Sequence, residues 1–168
     1  NRGAGGVRGM TLRSKDKVIS MDVGGPESRL LVVSKYGYGK LTPFYNDKKG
    51  KDNYKTQGRG GIGVKTFNIT SKTGKVAAAQ IVDDSKEVYV VSEKAQVLRT
   101  SLSEIRSIGR ITQGVRIFKP QPGDKVSSIA CVEDLEKTAE DVNLANPVVS
   151  KSNGKGNGQM SLKGLDTS

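Results

Sequence analysis

Residues 57–66, QGRGGIGVKT, place four glycines, an arginine and a lysine in ten positions, the composition of a loop that grips phosphate. Glycine admits positive φ and lets a ligand approach the main chain, and N–H groups exposed in such turns form anion-binding nests. Two nucleotide motifs are formally present. Gly58, Gly60 and Gly63 satisfy G-x-G-x-x-G, and Gly58 with Gly63 begins G-x-x-x-x-G-K-[ST]. Neither suits its surroundings. The dinucleotide fingerprint lies between a strand and a helix, so that the pyrophosphate meets the helix N-terminus. Here the following VKTFNIT alternates and is β-branched, which predicts a strand. In the second pattern Val64 separates Gly63 from Lys65, which leaves the lysine one position out of place for the β- and γ-phosphates.

Other catalytic chemistries find few residues to use. The chain has no histidine, which removes the commonest general base and every His-dependent triad or metal site. Cys131 is the single cysteine, so neither a disulfide framework nor a Cys/His zinc site can form. Within VSSIACV it reads as a small buried hydrophobe of a strand. The five tyrosines lack flanking clusters of activating groups and read as packing residues. Asn68-Ile69-Thr70 is a formal glycosylation sequon without meaning in a cytoplasmic chain.

The chain has 168 residues, of which only 34% are hydrophobic and 21 are glycine, a balance that favours short strands and many turns. Its net charge of +11 is unevenly placed. Residues 1–132 carry 24 basic and 11 acidic side chains, whereas 133–168 carry 4 and 6. A basic folded part implies a polyanionic partner, nucleic acid or an anionic membrane surface. No apolar run reaches the roughly 18 residues of a membrane span and no signal peptide opens the chain, so a soluble, cytoplasmic, nucleoid-associated protein is expected.

The glycine turn is written three times. NRGAGGVRGM (1–10), GRGGIGVKTF (58–67) and GRITQGVRIF (109–118) superpose Arg2, Arg59 and Arg110, then Gly6, Gly63 and Gly114, then Arg8, Lys65 and Arg116. DKVISMDV, GKVAAAQIV and DKVSSIACV repeat downstream, and LLVVSKYGYGKLT (30–42) is matched by VYVVSEKAQVLRT (88–100), each two strands about a tight turn. Each unit is about four strands. A lone blade cannot bury both faces, so blades stack, as in propellers. The first copy holds only part of its turn, and the chain is expected to be part of a longer ring.

The phrases GVRGMTL, LLVVSKYGYGKLT, YKTQGRGGIGVKTF and IRSIGRITQGVRIFKPQPGDKV resemble the C-terminal domain of the gyrase A and topoisomerase IV A protein family, across residues 2–132. The resemblance implies an all-β, propeller-like β-pinwheel, here about two and a half to three four-stranded blades. It implies sequence-independent wrapping of duplex DNA in support of ATP-dependent negative supercoiling by a type IIA topoisomerase. The segment itself is then non-catalytic and carries no cofactor, because ATP and magnesium belong to other parts of the holoenzyme. Its partners are double-stranded DNA, the rest of gyrase A, and gyrase B, with no membrane and a monomeric isolated segment. The family's diagnostic box reads Gln-Arg-Arg-Gly-Gly-Arg/Lys-Gly, where residues 57–63 read Gln-Gly-Arg-Gly-Gly-Ile-Gly. That departure leaves gyrase and topoisomerase IV both open, beside a basic propeller-type protein-interaction scaffold.

The residues expected to meet DNA are Arg2, Arg8, Lys40, Lys55, Arg59, Lys65, Arg99, Arg106, Arg110 and Arg116. Lys55 and Arg106 each stand four residues before a turn arginine, whose planar fork suits phosphate oxygens. With 5% aromatic residues and no tryptophan, a single-strand stacking platform is disfavoured. Met10, Phe67 and Phe118, with Val64, Val76, Val115 and Val126, are expected in the inter-strand core. About ten strands are expected through Val132. In the tail, 133–168, Leu135, Ala139 and Val142 predict a short amphipathic helix, followed by a flexible segment beyond Pro147.

Overall fold

In a computed structural model that describes residues 3–46, 50–82 and 86–133, the regular structure of the described residues is nine strands and one 3-10 turn. The strands are β1 (Arg29–Ser34), β2 (Tyr38–Pro43), β3 (Tyr45–Asn46), β4 (Lys51–Asp52), β5 (Val76–Val82), β6 (Lys86–Ser92), β7 (Val97–Ser101), β8 (Val115–Arg116) and β9 (Val126–Glu133). The 3-10 turn is Leu102–Glu104. They form an all-β set of antiparallel sheets ordered β5-β1-β2-β8 and β7-β6-β9, with β3-β4 as a small ribbon. Arg2 and residues 134–168, including the helix expected there, lie outside the described residues, while Glu133 ends β9.

The two hairpins found by repetition are the same object in atomic detail. Gly37 N–H returns to Ser34 O at 3.0 Å, and Ala95 N–H returns to Ser92 O at 3.1 Å. Ser34 Oγ accepts from Tyr38 N–H, and Ser92 Oγ from Gln96 N–H. Both hairpins shift register at that serine against their third strand, between Val33 and Ser34 and between Val91 and Ser92. Gly37 takes φ +76°, whereas its counterpart Ala95 is held at +60°, a left-handed conformation that strains any Cβ.

Burial follows from each sheet's neighbours. Leu31, Val32 and Val33 are consecutive and fully buried, because both faces of β1 are covered. Leu31 and Val33 join Leu41 and Val82 to Val88, Val90 and Val126 of the second sheet and to Leu102 and Ile105 of the 3-10 turn and its end, in a core shared by the blades. Val32 faces the other way, towards Tyr38 and Phe67. Phe67 and Val126 are core as expected, Cys131 is half-buried against the same cluster, and Phe118 packs on its edge. Met10 and Val64, expected inside, remain exposed.

The strand expected in VKTFNIT does not form. Its repeat, β8, exists because Val115 and Arg116 pair with Gly39 and Tyr38 on the outer edge of β2. Residues 64–67 have no such edge to meet among the described residues. Close approach demands glycine on both sides of this joint. A Cβ on Gly114, which sits at φ +75°, would lie 2.6 Å from Gly39 O, and one on Gly37 would collide with Phe118 O.

Gly114→Ala is therefore expected to lose at least the roughly 1–2 kcal/mol of a left-handed Cβ. Ala95→Gly should gain up to about 1 kcal/mol, the relief being partly offset by unfolded-state entropy. Urea midpoints of the two variants should move in opposite directions.

Candidate nucleic-acid interface

The three superposed glycines share one conformation. Gly6, Gly63 and Gly114 have φ of 74°, 75° and 75°. Two residues after each comes Arg8, Lys65 or Arg116, and all three side chains are exposed. Lys65 Nζ donates to Asn68 Oδ1 at 3.2 Å. Arg116 lies 5.0 Å from the Tyr38 ring centroid and donates to its hydroxyl at 3.0 Å, which holds the guanidinium against an aromatic face.

Successive turns are joined by one repeated hydrogen bond. Thr11 N–H donates to Gly61 O at 2.9 Å, and Asn68 N–H donates to Thr112 O at 2.9 Å. Thr11 and Asn68 occupy the same place in consecutive copies, as do Gly61 and Thr112. Each arginine turn is thus tied to the preceding copy by the same contact. The same contact therefore links the first turn to the second and the second to the third.

Within that series the expected contacts divide. Arg59, Lys55 and Arg106 are exposed. Arg110 is half-buried, and its guanidinium donates to Asn53 O at 2.9 Å, which fixes its stem while other N–H groups of the fork stay open to further acceptors. Arg99 is exposed but forms a two-pronged pair with Glu87, Nε to Oε2 at 2.7 Å and Nη2 to Oε1 at 2.9 Å, so its charge is largely compensated on its own blade.

Lys40 requires a correction. It is fully buried, and its ammonium donates to Gly109 O at 2.8 Å, Arg110 O at 2.5 Å and Thr112 Oγ1 at 3.1 Å, with the Phe67 ring 5.8 Å away. Its three N–H donors are consumed inside the fold, so it cannot reach a ligand. Neither Tyr38 nor Asn53 was legible as a partner of these cations from sequence. Tyr38 and Arg116 are 78 residues apart, and Asn53 and Arg110 57. Only the Glu87–Arg99 pair had a local signal, the two being diagonal neighbours in a recognisable hairpin.

A family described as "DNA gyrase C-terminal domain, beta-propeller" matches residues 1–23, 28–83 and 86–133. The gyrase A protein of Mycolicibacterium smegmatis is 34% identical over 151 residues, 90% of this chain and 17% of that protein. The protein of the same name from Dehalogenimonas lykanthroporepellens is 40% identical over 135 residues, 77% of this chain and 16% of that protein. The chain therefore spans about a sixth of the length of these relatives. Among solved structures, a DNA gyrase A C-terminal domain has a TM-score of 0.52 at 27% identity, over 61% of this chain and 33% of its own. The C-terminal domain of a DNA topoisomerase IV has a TM-score of 0.66 at 20% identity, over 82% of this chain and 42% of its own, a likeness of fold.

Burial, and then the like charge of Arg110, lower the Lys40 pKa from 10.5 to about 8. Between those values the folded chain binds fewer protons than the unfolded chain, so this group makes stability rise with pH. Its contribution is complete above 10.5 and lost as pH falls through 8. Urea midpoints at about pH 7.5 and about pH 9.5 should show that rise in the wild type, and Lys40→Met should remove it.

Proposed function

Because the chain belongs to the DNA gyrase C-terminal domain, beta-propeller family, we propose that it is a non-catalytic module of gyrase A that binds duplex DNA without regard to sequence and bends it along the successive arginine turns. The observation that carries this reading is the repeated 2.9 Å bond that sets the turns of Arg59 and Arg110 in series. In the intact enzyme the bent duplex supports ATP-driven negative supercoiling, with ATP and magnesium handled by the rest of gyrase A and by gyrase B. The relatives named gyrase favour that enzyme over topoisomerase IV.

The mechanism is electrostatic and geometric. Each phosphate neutralised by Arg or Lys releases condensed counterions, and this free energy carries no sequence information. Bending 20 to 30 base pairs by 40 to 90° costs of order 1–6 kcal/mol, which cations spaced along a curve can offset. Gly6 and Gly63 leave room for the main chain to come close to the duplex, while Arg8, Arg59, Lys65 and Arg116 supply charge along the turns.

Arg59→Glu with Arg110→Glu should weaken binding to unrelated duplexes about equally and flatten the salt dependence by roughly one to two units, since each phosphate contact contributes about 0.9. Closed circles relaxed and sealed on the intact domain should retain less writhe. Unchanged slope and writhe would sink the duplex reading in favour of a protein-binding scaffold. Glu87→Gln tests the same field in reverse. With one acidic charge removed beside Arg99, affinity should rise and the salt dependence steepen by up to about one unit.

A further inference from the structure

We propose that Lys40 is a positioning residue, reaching from the first hairpin into the third copy of the glycine turn and orienting its peptide groups so that Arg110 is presented to phosphate, a role that rests on the duplex-binding reading. Its acceptors all belong to one turn, 69 to 72 residues away in the chain. Two are consecutive carbonyls, of Gly109 and Arg110. In a planar trans peptide the N–H points opposite to the C=O. Drawing those two oxygens onto the ammonium therefore turns the N–H groups of Arg110 and Ile111 to the other side. Neither N–H donates to a backbone carbonyl among the described residues, and Ile111 is 62% exposed. A phosphate oxygen on that side meets two main-chain donors in addition to the arginine fork.

The turn is held from several directions at once. Thr112 Oγ1 closes it on Gly109 O at 2.9 Å, and Thr42 Oγ1 binds Ile108 O at 3.1 Å. Leu41 brackets the approach, its N–H donating to Arg106 O and its carbonyl accepting from Ile108 N–H. Asn53 O fixes the Arg110 stem. The copy at 58–61 has no corresponding ammonium among the described residues and adopts a different turn, in which Gly60 takes φ +74° and its N–H is spent on Gly9 O. In the second hairpin the place of Lys40 is taken by Leu98. The lysine is therefore a device of this one joint, not a part every blade needs.

Lys40→Met removes the buried charge but leaves the Arg110 carbonyl without its donor, so folding and presentation are read separately, by urea midpoint and by binding. In the full chain near neutral pH, it should lower the urea midpoint modestly without unfolding the chain, speed exchange of the Asn68 and Ile108 amides that tie the turn to its neighbours, and weaken binding to two unrelated duplexes by about three- to tenfold. Thr112→Val, which removes one acceptor, should act in the same direction by about two- to threefold. In an Arg110→Ala background the effect of Lys40→Met on affinity should shrink towards none, as coupled residues require. Unchanged affinity with faster exchange would make Lys40 a structural brace only and overturn the proposal. So would an undiminished loss in the Arg110→Ala background. If Lys40→Met fails to fold, Thr112→Val decides, and unchanged affinity there overturns the proposal. A wild type lacking salt-dependent duplex binding overturns the underlying reading instead, while exchange of the Asn68 and Ile108 amides still shows whether the lysine holds the turn.

Discussion

The outer edge of β2 is completed by residues from a later repeat, and most of the remaining structure follows from that exchange. Val115 and Arg116 supply the fourth strand of a sheet whose other strands lie between residues 29 and 82. An unpaired strand edge leaves a row of N–H and C=O groups seeking partners, and the exchange satisfies them by tying one blade to the next. Contact across the joint is main chain to main chain, which is why Gly37, Gly39 and Gly114 cluster there. Larger residues would push β8 away and uncover Leu41 and the shared core beneath.

The same exchange fixes the cations. Arg116 leaves β8 beside Tyr38, and the turn that precedes it is carried onto β2 with Arg110 at its tip. A flexible surface arginine loses rotamer freedom on meeting phosphate, at an entropic cost of up to about 2 kcal/mol. Arginines already fixed by Tyr38 or Asn53 have lost part of that freedom on folding. On the proposed function, arrangement more than the number of positive residues would then set how much binding free energy remains to bend a duplex.

What could be read in the sequence was whatever repetition carries. The hairpins, the third strands and the left-handed glycines all recur, and each copy reported on the others. The turn at Ala95 was visible only through Gly37, since alanine itself gives no sign of positive φ. Failure came where a residue's fate depends on a neighbour outside its own copy. VKTFNIT has the pattern of a strand and lacks an edge to join, so propensity alone could not make it one. Lys40 has the composition of a rim cation, yet strand β2 places it under a turn some 70 residues away, and no local pattern encodes that depth.

Net charge is for the same reason a poor guide to where a polyanion binds. The basic residues of the folded part serve different ends: Lys40 is consumed by carbonyls, Arg99 is matched by Glu87, Arg110 is half engaged, and Arg8, Arg59 and Lys55 stand exposed. All contribute to the long-range field that would attract a duplex on the proposed reading, because that field falls off only over a Debye length of about 8–10 Å. Only the exposed and half-engaged members can touch it. Attraction and curvature are therefore controlled by different residues, and a substitution can weaken one while sparing the other. If the proposed function holds, an arginine turn lost to a buried defect beneath it would leave the field nearly intact but remove a fixed point along the bend.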